Sequence, residues 1–399
     1  MNRRSLLLSA GTLALGRLLT ACTSSRHSVL RIKLLENSIP PQILREFRRQ
    51  VEQPANFEFG SEEQLPKLFK LLQTWRHPVE EPSDWFKLIP INQPLSAPRA
   101  DLVTLGDYWM AAAIQQQLIQ PMDLTQLKGW SSLSAPWKRL IKRDRNGRLD
   151  PQGELWGAPY RWGSLIMVYR DHAFKSLDWR PVNWSDLWRP ELQQRISLPD
   201  HPRLVIGVTL QALGRSCNET DLDSVPDLAD KLATLQRQVK FYSSDAYLQP
   251  LINEDTWLAV GWSTDILPTM KRYRQLKAVI PDKGAILTAD VWVQPAVDDS
   301  NGQVKDDNAV SPQTNSVNLT QQWIDFCWRP QVATQLSVSS QGASPIFTDT
   351  APTELPKVLQ NNPLLLPKPE TFRQSEFLEP FSADVSRNYL NLWTRTRQG

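Results

Sequence analysis

The residue types that most often do chemistry are sparse in this chain and badly spaced for catalysis. His27, His77, His172 and His201 stand alone. No HExxH pair, CxxC motif, phosphate-cradling glycine loop or nucleophile elbow surrounds any of them or any serine. The many carboxylates allow an acid pair by number alone, but no spacing picks one out. One residue has a chemistry written into its surroundings. Cys22 closes LTAC (19–22) and is followed by small polar residues, the form of a lipoprotein signal. In such a signal lipid is joined to the cysteine sulfur and the chain is cut just before it.

The segment ahead of Cys22 fits that role. Arg3 and Arg4 make a positive head, and the apolar run from Leu6 to Leu15 is cut short by Arg17 after it. A spanning helix needs about 20 apolar residues, so this run has the size of a signal-peptide core. Residues 1–21 are therefore read as a signal peptide. The start, NRRSLL, is similar to a twin-arginine signal without its usual aromatic and lysine, which leaves the export route open. Removing 1–21 takes away three arginines and no acid, so bases and acids become equal in number. A neutral chain without a long basic run gives no electrostatic reason to expect nucleic acid. Cys217 and Cys327 would lie in a compartment that tolerates disulfides, and whether they pair is left open.

Beyond the signal, strands and helices alternate. VLRIKLLE (29–36) opens as a strand, and Pro40-Pro41 starts a helix with Ile43, Leu44, Phe47 and Val51 on one face. Leu65, Leu68, Phe69 and Leu72 recur at helical spacing, before a proline-rich loop over 75–99. DLVTLG (101–106) is a short buried strand that runs into Asp107-Tyr108-Trp109, and the C-terminal ends of such strands are where α/β sheets bind ligands. Ser224 and Pro226 signal a helix with Leu228, Leu232, Leu235 and Val239 in one stripe. TWLAVGW (256–262) and DVWV (290–293) are later strands, followed by a polar loop over 298–316 and a proline-rich stretch over 351–370. Asp290 begins its strand beside apolar neighbours, where a bare carboxylate is costly. It calls for a partner, either a ligand ammonium or a protein donor.

A series of segments, in order, resembles the bacterial spermidine/putrescine-binding proteins, the solute receptors of ABC importers. They are WGAPYRWG (156–163), NWSDLWRPE (183–191), SSD (243–245), AVGW (259–262), PDKG (281–284) and WIDFCWRP (323–330). The resemblance implies an α/β, two-lobed periplasmic-binding-protein fold of type II kind, with a hinge between discontinuous lobes. It places lobe I at 22–165 and 289–345, and lobe II at 166–288 and 346–399. It implies a receptor rather than an enzyme, with no cofactor and no metal. Lipid on Cys22 would hold it at a membrane, in the periplasm or on the extracytoplasmic face, beside ABC permease subunits.

The implied ligand is a polyamine or another small cationic solute, because carboxylates match ammoniums and aromatic walls match methylenes. Tyr108, Trp262 and Asp290 fall where the family has a wall tyrosine, a wall tryptophan and a key carboxylate. Asp107 and Asp200 are further candidates, Asp200 because His201 stands where another acid is expected. The chain departs from the family at LENS (35–38), Leu204, Thr288 and Gly342, where ligand-contacting aromatic, acidic or polar side chains are usual. A scaffold or sensor that keeps the two lobes without a transport ligand is the second reading, and an extracytoplasmic hydrolase the last.

Overall fold

The computed structural model describes residues 28–51, 53–76, 98–297 and 312–398. The signal segment with Cys22, most of the proline-rich loop and most of the polar loop lie outside the described residues.

The principal strands are β1 (Ser28–Leu35), β2 (Ala55–Glu62), β3 (Leu102–Gly106), β4 (Ala158–Arg170), β5 (Ile196–Leu198), β6 (Val239–Tyr242), β7 (Leu258–Trp262), β8 (Leu276–Val279) and β9 (Ile286–Pro295). They lie side by side in the order β2-β1-β3-β9-β4-β7-β5-β6, with β8 also paired to β4. β1 pairs in parallel with β2 and β3, and β5 in parallel with β7 and β6. β9 runs antiparallel between β3 and β4. Residues 158–164 of β4 belong to the β9 side, and 165–170 pair antiparallel with β7 and β8. One strand therefore serves both halves of the molecule.

Local sequence accounts for this layout. β1 buries Leu30, Ile32 and Leu34 in alternation, as a half-buried strand does, whereas every residue of β3 is buried, as in an interior strand covered on both faces. The helix Pro41–Gln50 starts with proline in its first turn and buries Ile43 and Phe47. The later helix begins at Leu228, not at Ser224. Ser224 ends a 3₁₀ turn, Asp227 adopts a left-handed conformation, and Leu228, Leu232 and Leu235 are buried as their spacing predicts.

Apolar side chains gather in two main cores. The first takes residues from β1, β3, the start of β4 and β9, together with Trp323 and Trp328. The second takes Leu165 and Met167 from the far half of β4, the helix Pro202–Ala212, Val260 and Ile286. Of the tail, Leu359, Leu365, Leu366 and Phe372 pack in the first core, while Leu378, Tyr389 and Trp393 pack in the second. The turn at Trp184–Trp188 is held by an Asn183/Asp186 capping box, and Trp184 packs in the second core. Cys327 and Cys217 are free, buried thiols, one in each core. Among the described residues no helix is long and apolar enough to cross a membrane.

Candidate functional site

Between the two cores the C-terminal ends of the parallel strands open on a cleft of about 410 Å³, within the size range of small-molecule sites. β1 brings Leu35 to it, and the turn after β3 brings Tyr108 and Trp109. β7 ends there on Trp262, and the segments after β5 and β6 supply His201, Ser244 and Asp245. Mid-strand residues Arg161 of β4 and Thr288 and Asp290 of β9 form the floor near the crossing. A larger hollow of about 560 Å³ lies between the helices Leu228–Gln238 and Ala383–Gln398. It is away from the strand ends, so we assign the site to the smaller cleft.

Asp290 is 8% exposed and has a protein partner. Arg161 Nε donates to its Oδ2 at 2.6 Å, and Arg161 Nη2 lies 2.6 Å from the same oxygen. The two residues face each other across the β4–β9 ladder. Burial would lower the Arg161 pKa, but Asp290 outweighs it and holds it above the ordinary value. A guanidinium is thus fixed on the cleft wall, and the neighbouring carboxylate is neutralised.

Asp107 lies beneath the cleft instead of lining it. Its Oδ1 accepts hydrogen bonds from the Ala289 N–H at 2.9 Å and the Thr288 hydroxyl at 3.1 Å. Its Oδ2 is buried with no hydrogen-bond partner among the described residues. Burial pushes the carboxyl up to about 6, against the pull of those donors and of Arg143. Arg143 is itself buried, donating to the carbonyls of Leu140, Gly147 and Asp107. Asp107 therefore ties the turn after β3 to β9 and sets the stance of Tyr108, which is 42% exposed beside it.

On the opposite side, Trp262 is anchored through its backbone N–H to the Tyr247 hydroxyl at 3.2 Å, and that hydroxyl donates to Asp265. Surrounding protein raises the Asp265 pKa, while Tyr247 and Arg161 pull it back. Asp200 is exposed and, among the described residues, does not line the cleft, although its carbonyl accepts from Ser244. His201 does line it. Burial and Arg203 lower its pKa, which favours the neutral ring. Glu63 is paired with Lys67 at 2.7 Å, so Asp245 and Asp265 are the cleft acids without a basic partner among the described residues. No group of three or more metal-ligating side chains occurs among the described residues.

Residues 97–375 match the bacterial extracellular solute-binding protein family. The chain belongs to that family. Among the relatives of this solute-binding protein, the spermidine/putrescine-binding periplasmic protein of Salmonella typhimurium is 23% identical and covers 98% of each chain. The putrescine-binding periplasmic protein PotF of Escherichia coli is 24% identical over 75% of this chain and 78% of its own. The structure of the spermidine/putrescine transporter substrate-binding protein PotD of Streptococcus pneumoniae has a TM-score of 0.73 at 20% identity, covering 93% of this chain and 99% of that one. A periplasmic thiamin binding protein gives 0.55 at 15% identity, covering 97% and 99%. These likenesses show the two-lobed periplasmic-binding-protein fold, and the family is an extracytoplasmic one.

In this solute-binding protein the structure gathers Tyr108, Trp262 and Asp290 in one cleft, with Asp107 behind it and Asp200 outside. Sequence reasoning missed Arg161, Tyr247 and Asp265. Arg161 left a readable signal, a basic residue inside the otherwise uncharged WGAPYRWG. Asp265 follows Trp262 by three residues at the start of the helix Ser263–Arg272, a cleft-lining position that spacing alone does not distinguish.

Proposed function

We propose that the chain is the solute receptor of an ABC importer, without catalytic activity, and that its two lobes close on a small cationic solute. The observation that carries this is the cleft itself. Aromatic walls, Tyr108 and Trp262, stand with two unneutralised carboxylates, Asp245 and Asp265, where strand ends from two cores face each other. Aromatic faces attract cations and cover methylenes, while carboxylates hold ammoniums. The polyamines in the names of the relatives belong to this class of solute. The lobes divide within β4, within β9 and, in place of the break at 345 that the resemblance implies, between Phe372 and Leu378, which pack in the first and second cores, so these crossings act as the hinge. Lipid on Cys22 would keep the receptor beside its permease on the extracytoplasmic face of a membrane.

A thermal-shift panel of polyamines, amino acids, sugars and metal ions tests the receptor role. A ligand at 100 times its dissociation constant adds about 2.7 kcal/mol. Silence across the panel favours the scaffold or sensor reading, to which the neutralised Asp290 also lends support. Scattering at saturation with a confirmed ligand should show compaction, and an unchanged profile argues against closure. For the anchor, Cys22→Ser should abolish lipid labelling. A soluble wild-type protein with residue 1 intact would refute the anchor alone.

A further inference from the structure

The Arg161–Asp290 pair changes what the cleft floor offers. An ammonium placed at Asp290 would lie against a guanidinium already bound there, so that carboxylate is spent. Arg161 is not spent to the same degree. Its Nε and Nη2 converge on a single oxygen, and Asp290 is its only hydrogen-bonding partner among the described residues. An arginine has five N–H donors in a planar fork suited to two oxygens of one acid. Stability alone is a weak reason for the pair, since apolar residues of similar volume often serve a fold as well or better than a buried ion pair.

The seat of Arg161 is specific to its shape. A Cβ on Gly342 would come within 2.4 Å of Arg161 Cγ and 2.7 Å of its Cδ. The bare backbone at 342 is what leaves room for the arginine stem. Asp265 and Asp245 remain for a cationic group.

We propose that Arg161, oriented by Asp290 and admitted by Gly342, is a specificity-determining residue that receives a carboxylate of the ligand. The solute is then a cation that also carries an acid, of the basic amino acid class, and a plain diamine is disfavoured. This deepens the receptor reading above and rests on it.

Calorimetry with matched pairs tests it: ornithine against putrescine, lysine against cadaverine, and arginine against agmatine. Each pair differs by one carboxylate. The acid-bearing member of at least one pair should bind wild-type protein tenfold or more tighter than its partner. Arg161→Met should erase or reverse that ratio, and Gly342→Ala, which crowds the arginine stem, should move it the same way. Should Arg161→Met fail to fold, Arg161→Met with Asp290→Asn removes both charges together and should likewise erase the ratio. Diamines that bind wild type as tightly as their partners, or a ratio unmoved by the variants, overturn this inference and leave the receptor reading standing. Binding of no member of any pair overturns this inference, and silence across the wider thermal-shift panel as well overturns the receptor reading.

Discussion

The Tyr247 hydroxyl joins two lining residues of the cleft, donating to Asp265 while accepting the backbone N–H of Trp262. Tyr247→Phe removes both bonds and leaves the Trp262 N–H without its acceptor. The expected cost is about 1 to 3 kcal/mol of stability, together with a further rise in the Asp265 pKa once its donor is gone. Urea unfolding and carboxyl-detected NMR titration check the two effects, and an unchanged midpoint would show that the hydroxyl contributes nothing net.

Gly261 is required by the same ring. A Cβ there would fall 2.0 Å from Tyr247 Cε2, so Gly261→Ala must push the tyrosine out of its buried seat. Overpacking of this kind typically costs about 1 to 3 kcal/mol. The variant should melt earlier than wild type and bind any confirmed ligand more weakly, since Trp262 loses its tether. Wild-type melting would mean that the ring has another place to go.

Asp290→Asn should damage stability as well as binding. It leaves the Arg161 guanidinium buried without its counter-charge, and breaking a buried pair from one side costs about 3 to 5 kcal/mol. Arg161→Met combined with Asp290→Asn should be markedly milder than the sum of the single changes. A double-mutant cycle by denaturant titration measures that coupling, and simple additivity would show that the pair is not coupled.

Asp107 gives stability a pH slope. Its carboxyl titrates at about 6 when folded, against 3.8 ordinarily, so over that interval the native state holds a proton that the unfolded chain has lost. The contribution is complete below the lower value and disappears as pH rises through the upper one. A shift of this size corresponds to roughly 3 kcal/mol. Asp107→Asn, which keeps an acceptor for Ala289 and Thr288, should flatten this loss. Equal slopes for variant and wild type between pH 4 and 6 would assign it to other groups.

Much of the framework was legible because periodicity is local. The alternation in 29–36 and the apolar run in 101–106 gave β1 and β3 nearly to the residue, and the leucine stripe from 228 gave its helix, though not its start. Asp290 shows where local reading stops. Its apolar setting required a partner, but Arg161 lies 129 residues earlier and meets it only because β4 and β9 are adjacent in the sheet. The same holds for Asp107, whose place at a strand end marks it for the site. The fold instead turns it toward the Ala289 N–H and the Thr288 hydroxyl.

The continuity of β4 has a consequence for taking the molecule apart. With 158–164 laid against β9 and 165–170 against β7 and β8, no cut yields half a protein with a finished sheet. A fragment ending before 158 loses β9 and so leaves one edge of β3 bare, and one starting after 164 keeps β9 without β3 or residues 158–164 beside it. Either piece would expose raw ladder edges of the kind that recruit other chains. Grafting a cleft half from a relative would therefore have to exchange side chains on a retained β4 and leave its backbone uncut.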